Sequence, residues 1–195
     1  MGLTLRYRGR LHSPCLIPAL TAEVRDICES NRTPYRIWKD VRMLYAEDRG
    51  AFARINGITY QPDGCDTVSL LFTETGELLS WHRVAFGAPL SRDLLRQGVY
   101  VNMLYGDADR HIELCGLLKY LSEKFFAAFR VDDETRYWQT DDEIALRTAY
   151  EDRRFTTGIL TQFASQSENT DVPDAAQTAA KLVGMVRRMR GEGGV

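Results

Sequence analysis

The sequence lacks every strong catalytic motif and has few of the residues from which such motifs are built. It contains only three histidines and four cysteines in 195 residues, and no two cysteines form a CxxC pair. We find no GxSxG, HExxH, P-loop or GxGxxG sequence. These absences argue against an enzyme but do not exclude a catalytic site built from residues without a recognisable motif. No catalytic residue can be assigned.

Long apolar runs are also missing, since no stretch approaches the roughly 18 residues of a membrane span. Residues 1–11 alternate apolar and basic side chains without an apolar core of signal-peptide length, so we interpret them as structure. Cys15, Cys28, Cys65 and Cys115 are then expected to be unpaired thiols in a reducing compartment. We predict a cytoplasmic protein without membrane contact, with Cys65, in a turn, as the thiol to test for reactivity.

Composition is typical of a globular protein, with 44% hydrophobic and 27% charged residues. The net charge of -2 does not suggest a general polyanion binder, so nucleic-acid binding is less favoured than protein interaction or small-molecule binding. Charge is nevertheless uneven: residues 1–42 hold eight bases against four acids, and residues 132–152 hold eight acids against two bases. The two runs can complement each other within the fold, or they can orient a charged protein partner.

Local patterns predict an α+β fold. Period-two alternation and helical spacing predict strands at 3–11, 35–45, 53–60, 67–73, 78–85 and 99–105, and helices at 18–31, 110–129 and 141–151. Gly76 is expected to supply the positive φ of a tight hairpin turn. Consecutive strands joined by short turns pair antiparallel. We therefore predict a curved antiparallel sheet of five to six strands packed against a central amphipathic helix, 110–129, with C-terminal helices.

The character of the chain changes after Gly158. Residues 162–173 are polar and typical of a linker, and residues 175–190 have the pattern of a last amphipathic helix. We therefore predict an α+β domain over residues 1–158, followed over residues 159–195 by a polar linker and a C-terminal amphipathic helix. Such a helix can dock on another protein or on a second copy of the chain.

Two Asp-Asp-Glu triplets flank a Tyr-Trp pair in residues 131–147. Thr140 and the second triplet match a capping box, so we assign Thr140 as the N-cap of a helix. The first triplet has only a partial local explanation, as a turn after a short strand at 129–131. Its spacing lacks the glycine and alternating ligands of a calcium loop. Asp132, Asp133, Tyr137 and Trp138 remain candidate polar and aromatic groups of a binding pocket.

Two further residues, Trp81 and His82, complete the candidate binding set. On the predicted strand 78–85, alternation would place them on opposite faces. His111 and Cys115 are spaced as metal ligands on one helix face often are, but Cys115 also lies on the apolar face and no second ligand pair is visible. We therefore interpret Cys115 as structural and predict no metal or cofactor.

Two regions carry a family resemblance. Residues 57–78 contain Gly-Ile, Pro-Asp-Gly-Cys, Leu-Leu-Phe and Gly-Glu-Leu, and residues 117–126 and 137–143 read LLKYLSEKFF and YWQTDDE. These regions resemble an uncharacterised family of bacterial proteins of about 200 residues, close to the length of this chain. The resemblance implies a shared fold and no activity, and it assigns no catalytic residue to this sequence.

Taken together, these features favour a non-enzymatic cytosolic protein-interaction module, such as an immunity or accessory factor. The lack of a catalytic constellation, the divided charge and the C-terminal helix support that interpretation. The alternative is a small-molecule-binding protein or a hydrolase with an acidic and aromatic pocket. That alternative requires Asp132 and Asp133 to meet His82 or His111 at a common cavity.

Overall fold

The strands and helices below come from a computed structural model that describes residues 3–48, 50–87, 89–103 and 106–167. The strands are β1 Thr4–Leu11, β2 Tyr35–Leu44, β3 Phe52–Tyr60, β4 Val68–Phe72, β5 Leu78–Leu79, β6 Val99–Asn102 and β7 Phe126–Asp133. The helices are α1 Ile17–Ser30, α2 Trp81–Ala85, α3 Arg92–Gln97, α4 Ala108–Phe125, α5 Tyr137–Thr140 and α6 Glu143–Ser167, and a 3-10 turn, Pro14–Leu16, precedes α1. No helix among these residues is long and apolar enough to cross a membrane.

The predicted α+β class with antiparallel strands is confirmed, but the strands form two sheets where one was expected. One sheet has the order β2-β3-β4-β5 and the other the order β6-β1-β7. The difference arises because β1 pairs with two strands that are distant in sequence, and local alternation carries no information about such pairing. The single central helix is not confirmed either, since α1 packs against β3 and α4 packs against β7.

Tyr7 on β1 connects the two sheets. Its side chain is fully buried, its hydroxyl donates to the Ser69 carbonyl at 2.9 Å, and it accepts from the Ser69 amide at 3.0 Å. Nearby, the Leu11 amide donates to the carbonyl of Gly76 in the β4–β5 hairpin at 3.0 Å. Gly76 has φ of +79°, which confirms the predicted turn. Strand β1 therefore belongs to the three-stranded sheet up to Leu11, while Tyr7 and Leu11 also contact the four-stranded sheet and its hairpin.

The predicted strand 78–85 is wrong beyond its first two residues. Residues 81–85 form α2, in which the Phe86 amide donates to the His82 carbonyl at 3.0 Å. Gly87, with φ of +63°, follows directly and ends the helix in the left-handed conformation that glycine favours. Trp81 and His82 are thus helical neighbours and do not lie on opposite faces of a strand.

The ends of the last helices also differ from the prediction. Residues 126–133 form β7, so α4 ends at Phe125 and not at residue 129. Asp142, not Thr140, caps α6: its carboxylate accepts from the Ala145 amide at 2.9 Å, while the Thr140 hydroxyl donates to the Arg136 carbonyl. Helix α6 continues to Ser167, through the first residues of the predicted linker 162–173.

Two compact units divide the chain, residues 1–146 and residues 147–195. The predicted last helix, 175–190, lies outside the described residues. The division into residues 1–158 and 159–195 therefore stays a prediction.

Candidate functional site

Asp133, one of the predicted site residues, is buried at the end of β7 in contact with helix α4. Its Oδ2 lies 3.2 Å from Nε2 of His111, and both side chains are fully shielded from solvent. The same oxygen accepts from the Trp138 amide at 2.9 Å, and Oδ1 accepts from the amide and hydroxyl of Thr135 at 2.9 and 2.8 Å. Asp133 therefore fixes the turn between β7 and α5 from inside the protein.

This environment acts on Asp133 in two directions. Burial raises the pKa of the carboxyl, but hydrogen bonds from His111, the Trp138 amide and Thr135 outweigh burial and hold the pKa below its usual range. Cys115, one helical turn from His111, is also buried, and burial raises the pKa of its thiol to about 12. An imidazole, a thiol and a carboxylate, three types of metal ligand, thus lie together in the interior.

The other residues of the predicted acidic and aromatic pocket face different surroundings. Asp132 is exposed and lies opposite Arg6 across the β1–β7 pair. The buried ring of Tyr137 meets the His111 ring edge-on at 6.1 Å, while the half-buried ring of Trp138 lies 6.1 Å from that of Phe129.

The cavity beside Asp132 and Asp133, of about 400 Å³, is formed with Thr4, Arg6, Tyr100, Glu134 and Gln139. Neither Tyr137 nor Trp138 lines it, so the pair does not face the acids across a common space.

Trp81 and His82 lie elsewhere in the molecule. Their rings stack with centroids 4.1 Å apart, Trp81 half-buried and His82 exposed. Trp81 packs against the core of the four-stranded sheet, and His82 lines a separate groove with Arg83, Phe86 and Tyr100. The six predicted site residues therefore do not converge on one site.

A basic groove, which the sequence did not reveal, lies on the three-stranded sheet beside α3. Its volume is about 690 Å³, and its walls include Gly9, Leu78, Leu95 and Phe129. Five arginines line it against a single acidic residue, Glu77; they are Arg8 and Arg10 from β1, Arg92 and Arg96 from α3, and Arg130 from β7. We call this feature the arginine groove.

The pairing of β1 with β7 concentrates these charges. Arg8 lies directly opposite Arg130 in the antiparallel register. Like charges in directly opposed positions destabilise a sheet unless something neutralises them. Alternation places Arg8 and Arg10 on one face of β1, but only the fold adds Arg130, Arg92 and Arg96.

Most of these guanidinium groups lack a carboxylate partner among the residues that the structure describes. Within those residues, no ion pair of 4 Å or less involves Arg8, Arg10, Arg92 or Arg130. Arg96 reaches Asp93 at 3.8 Å, where both side chains are largely exposed. Such exposed pairs contribute little, so the groove keeps a positive potential.

The environment of Cys65 does not favour the reactivity for which this thiol was singled out. Cys65, expected in an exposed turn, is buried, and burial raises the pKa of its thiol to about 11. Cys28 is likewise buried, and Cys15 is the exposed cysteine of the four. Because the thiolate is the reacting species, Cys65 is a poor nucleophile at neutral pH.

Comparison with known proteins gives no assignment. No family model matches the chain, and neither the curated proteins nor the solved structures contain a match to it.

Proposed function

We propose that this protein is a non-enzymatic interaction module that binds an acidic segment of another protein in the arginine groove. The observation that carries the proposal is the set of five arginines around one groove of about 690 Å³. Four of them have no carboxylate partner within the described part of the chain. A guanidinium group matches a carboxylate with two parallel hydrogen bonds, so an acidic segment would supply the missing partners.

The charge pattern along β7 favours a polypeptide over a nucleic acid. Arg130 lines the arginine groove, but Asp132, two residues further on the same strand face, and Glu134 border the neighbouring cavity. A phosphodiester backbone carries regular negative charge and would be repelled there. A protein partner can place carboxylates on the groove and bases beyond it, which gives complementary potentials across the interface.

The sequence supplies the broader parts of the same proposal. We propose a cytoplasmic, bacterial protein of the family that residues 57–78, 117–126 and 137–143 resemble, acting as an immunity or accessory factor. Homo-oligomer formation through the C-terminal helix, residues 175–190, is a further proposal that rests on the amphipathic sequence pattern alone.

The alternative, a small-molecule binder or hydrolase, has weaker support. It requires the acids near Tyr137 and Trp138 to converge with a histidine on a cavity. The cavity beside Asp132 is lined by neither aromatic residue and by no histidine. His111 does meet Asp133, but both side chains are buried.

A binding experiment with a defined probe tests the proposal. The probe is a fluorescein-labelled peptide of ten glutamates, and its affinity for the full chain is measured by fluorescence anisotropy at several salt concentrations. We expect binding that weakens as salt rises. The double variant Arg8→Glu/Arg130→Glu should weaken binding by at least about tenfold, because reversed charges repel the peptide.

A matched variant separates the groove from total charge. Arg36→Glu/Arg42→Glu makes the same charge change at two positions of β2, outside the groove. We expect at most about a twofold effect, since these positions act on the groove only through the overall field. If both double variants lose the same affinity for the peptide, net charge and not the arginine groove accounts for the binding. Tighter, groove-dependent binding of a single-stranded oligonucleotide of equal charge would instead assign a nucleic acid.

A further inference from the structure

The strongest candidate outside the arginine groove is the group formed by His111, Cys115 and Asp133. A ligand atom from each residue, imidazole nitrogen, thiol sulfur or carboxylate oxygen, lies within 4.8 Å of the other two. His111 and Cys115 are fully buried, and Asp133 as a whole residue is 7% exposed. Buried polar groups of three different chemistries need a shared explanation, and either a hydrogen-bond network or a metal ion provides one.

The secondary structure positions the three side chains. His111 and Cys115 are four residues apart on α4, so they project from the same helix face one turn apart. Asp133 ends β7, and the following turn holds its carboxylate through the amides of Thr135 and Trp138. Metal-binding carboxylates in proteins are commonly held by such surrounding hydrogen bonds, which orient the ligand before the ion arrives.

The distances suit a small tetrahedral ion. Zinc bonds of about 2.0–2.3 Å place neighbouring ligand atoms roughly 3.3–3.6 Å apart around a tetrahedron. Nε2 of His111 and Oδ2 of Asp133 are 3.2 Å apart, and the Thr135 hydroxyl lies 3.5 Å from Nε2. The Cys115 sulfur lies within 4.8 Å of the other two ligand atoms, so it needs to approach by at most about 1.5 Å to complete a three-residue set, with a water or the Thr135 hydroxyl in the fourth position.

The donor chemistry selects the ion and balances its charge. Nitrogen, sulfur and oxygen ligands together favour zinc among the common biological metals, whereas calcium and magnesium require oxygen alone. A divalent ion would also neutralise one thiolate and one carboxylate inside the protein, which leaves no net buried charge.

We propose that His111, Cys115 and Asp133 form a buried zinc site that ties α4 to the end of β7. The proposal departs from the sequence-based prediction of no metal, because Asp133 supplies the ligand that the His111 and Cys115 spacing lacked. It is independent of the arginine groove and of the acidic partner proposed for it.

Metal binding by the full chain tests the site directly. Protein stripped with a chelator is supplied with one equivalent of zinc and desalted, and bound zinc is measured by mass spectrometry. Cobalt is then substituted, since a cobalt ion bound to a thiolate has a characteristic near-ultraviolet absorption. We expect about one zinc ion per chain and a cobalt–thiolate band, with the thermal unfolding midpoint raised by zinc.

Cysteine variants locate the ion. Cys115→Ser should lose the cobalt–thiolate band, whereas Cys28→Ser, which changes a buried thiol of α1, should retain it. Asp133→Asn should weaken zinc binding by about tenfold or more. Wild-type protein with no bound zinc and no cobalt band would overturn the proposal. So would a band that disappears only in Cys15→Ser, because the exposed thiol would then be the ligand.

Discussion

The arginines of the four-stranded sheet and those of the arginine groove have different surroundings. On the four-stranded sheet, Arg36 stacks on Trp38 with 4.2 Å from Cζ to the ring centroid, Arg42 stacks on Phe52, and Arg54 reaches Asp40 at 3.7 Å. On the three-stranded sheet, Arg6 lies 5.0 Å from the centroid of the Tyr100 ring, but in the arginine groove Arg8 faces Arg130 across the strands. Cations of the first kind have partners within the fold. Cations of the second kind lie beside like charges, which destabilise the sheet unless an anion neutralises them, so the comparison separates structural charge from charge available to a ligand.

The largest expected effect is the loss of stability when a side chain is added at Gly57 in the four-stranded sheet. Gly57 on β3 has φ of +140°, and a Cβ there would lie 2.1 Å from the Leu70 carbonyl oxygen. Gly57→Ala should destabilise the protein by more than about 3 kcal/mol, because it combines backbone strain with a steric clash. Chemical denaturation measures the loss.

Two other glycines calibrate that result. A Cβ added at Gly116 on α4 would meet nothing within 4 Å outside its own helix backbone, so Gly116→Ala should be neutral or stabilise by up to about 1 kcal/mol. In the three-stranded sheet, a Cβ at Gly9 would lie 2.7 Å from the Ala128 oxygen. Gly9→Ala should therefore cost about 1–3 kcal/mol. A larger loss at Gly9 than at Gly57 would contradict the order expected from the Cβ distances and from the positive φ of Gly57.

A second prediction concerns a carboxylate that already has hydrogen-bond partners within the fold. Glu23 on α1 accepts from Lys124 at 2.8 Å and from the Tyr120 hydroxyl, both on α4. Burial raises the pKa of Glu23, but these hydrogen bonds outweigh it and lower the pKa below its usual 4.5. Because the folded pKa is depressed, the stabilisation is present above pH 4.5 and is lost as pH falls through the lower folded value.

Glu23→Gln isolates this contribution from the other carboxylates. At neutral pH the variant should be less stable by about 1 kcal/mol, given hydrogen bonds to a charged but partly exposed group. Urea denaturation across pH gives the difference between wild type and variant. That difference should shrink below pH 4.5. A constant difference over the whole range would mean that the carboxylate charge is not involved.

How much of this could be predicted from sequence depended on how local each signal was. Strands β1 and β2 have clear alternation, and Gly76 was identified as the turn residue, whereas β4 is buried at all five positions and does not alternate. Strand β7 was anticipated only as a short strand at 129–131, because Phe125 and Phe129 continue the apolar spacing of α4. Pairing with β1 makes all of residues 126–133 extended. Tertiary contact overrode local propensity there.

The same reason limited the prediction of sites. The spacing of His111 and Cys115 was visible, but Asp133 reaches them only through the fold. Likewise, the excess of bases in residues 1–42 was noted without the positions of Arg92, Arg96 and Arg130 beside β1. Sites assembled from elements that are distant in sequence carry no fixed spacing, so a single sequence cannot reveal them.

A smaller effect is expected for the stacked arginines of β2. Arg36→Ala removes the guanidinium from the face of Trp38 and should destabilise the protein by about 0.5–1 kcal/mol. Lys39→Ala changes an exposed cation on the same strand and should stay within about 0.5 kcal/mol of wild type. Thermal denaturation compares the two. Equal small losses would indicate that stacking does not distinguish the cations of this sheet.

The smallest expected change has the opposite sign and is the most informative about the comparison. Arg130→Glu replaces a like-charge pair with Arg8 by an opposite-charge pair at directly opposed positions. It should therefore stabilise the protein by about 0.2–1 kcal/mol at low salt, and the gain should fade as salt screens the pair. The same variant should bind the glutamate peptide less tightly. A variant that gains stability while losing binding is the signature of a residue kept for a ligand at the expense of the fold. Loss of both would place Arg130 with the structural cations.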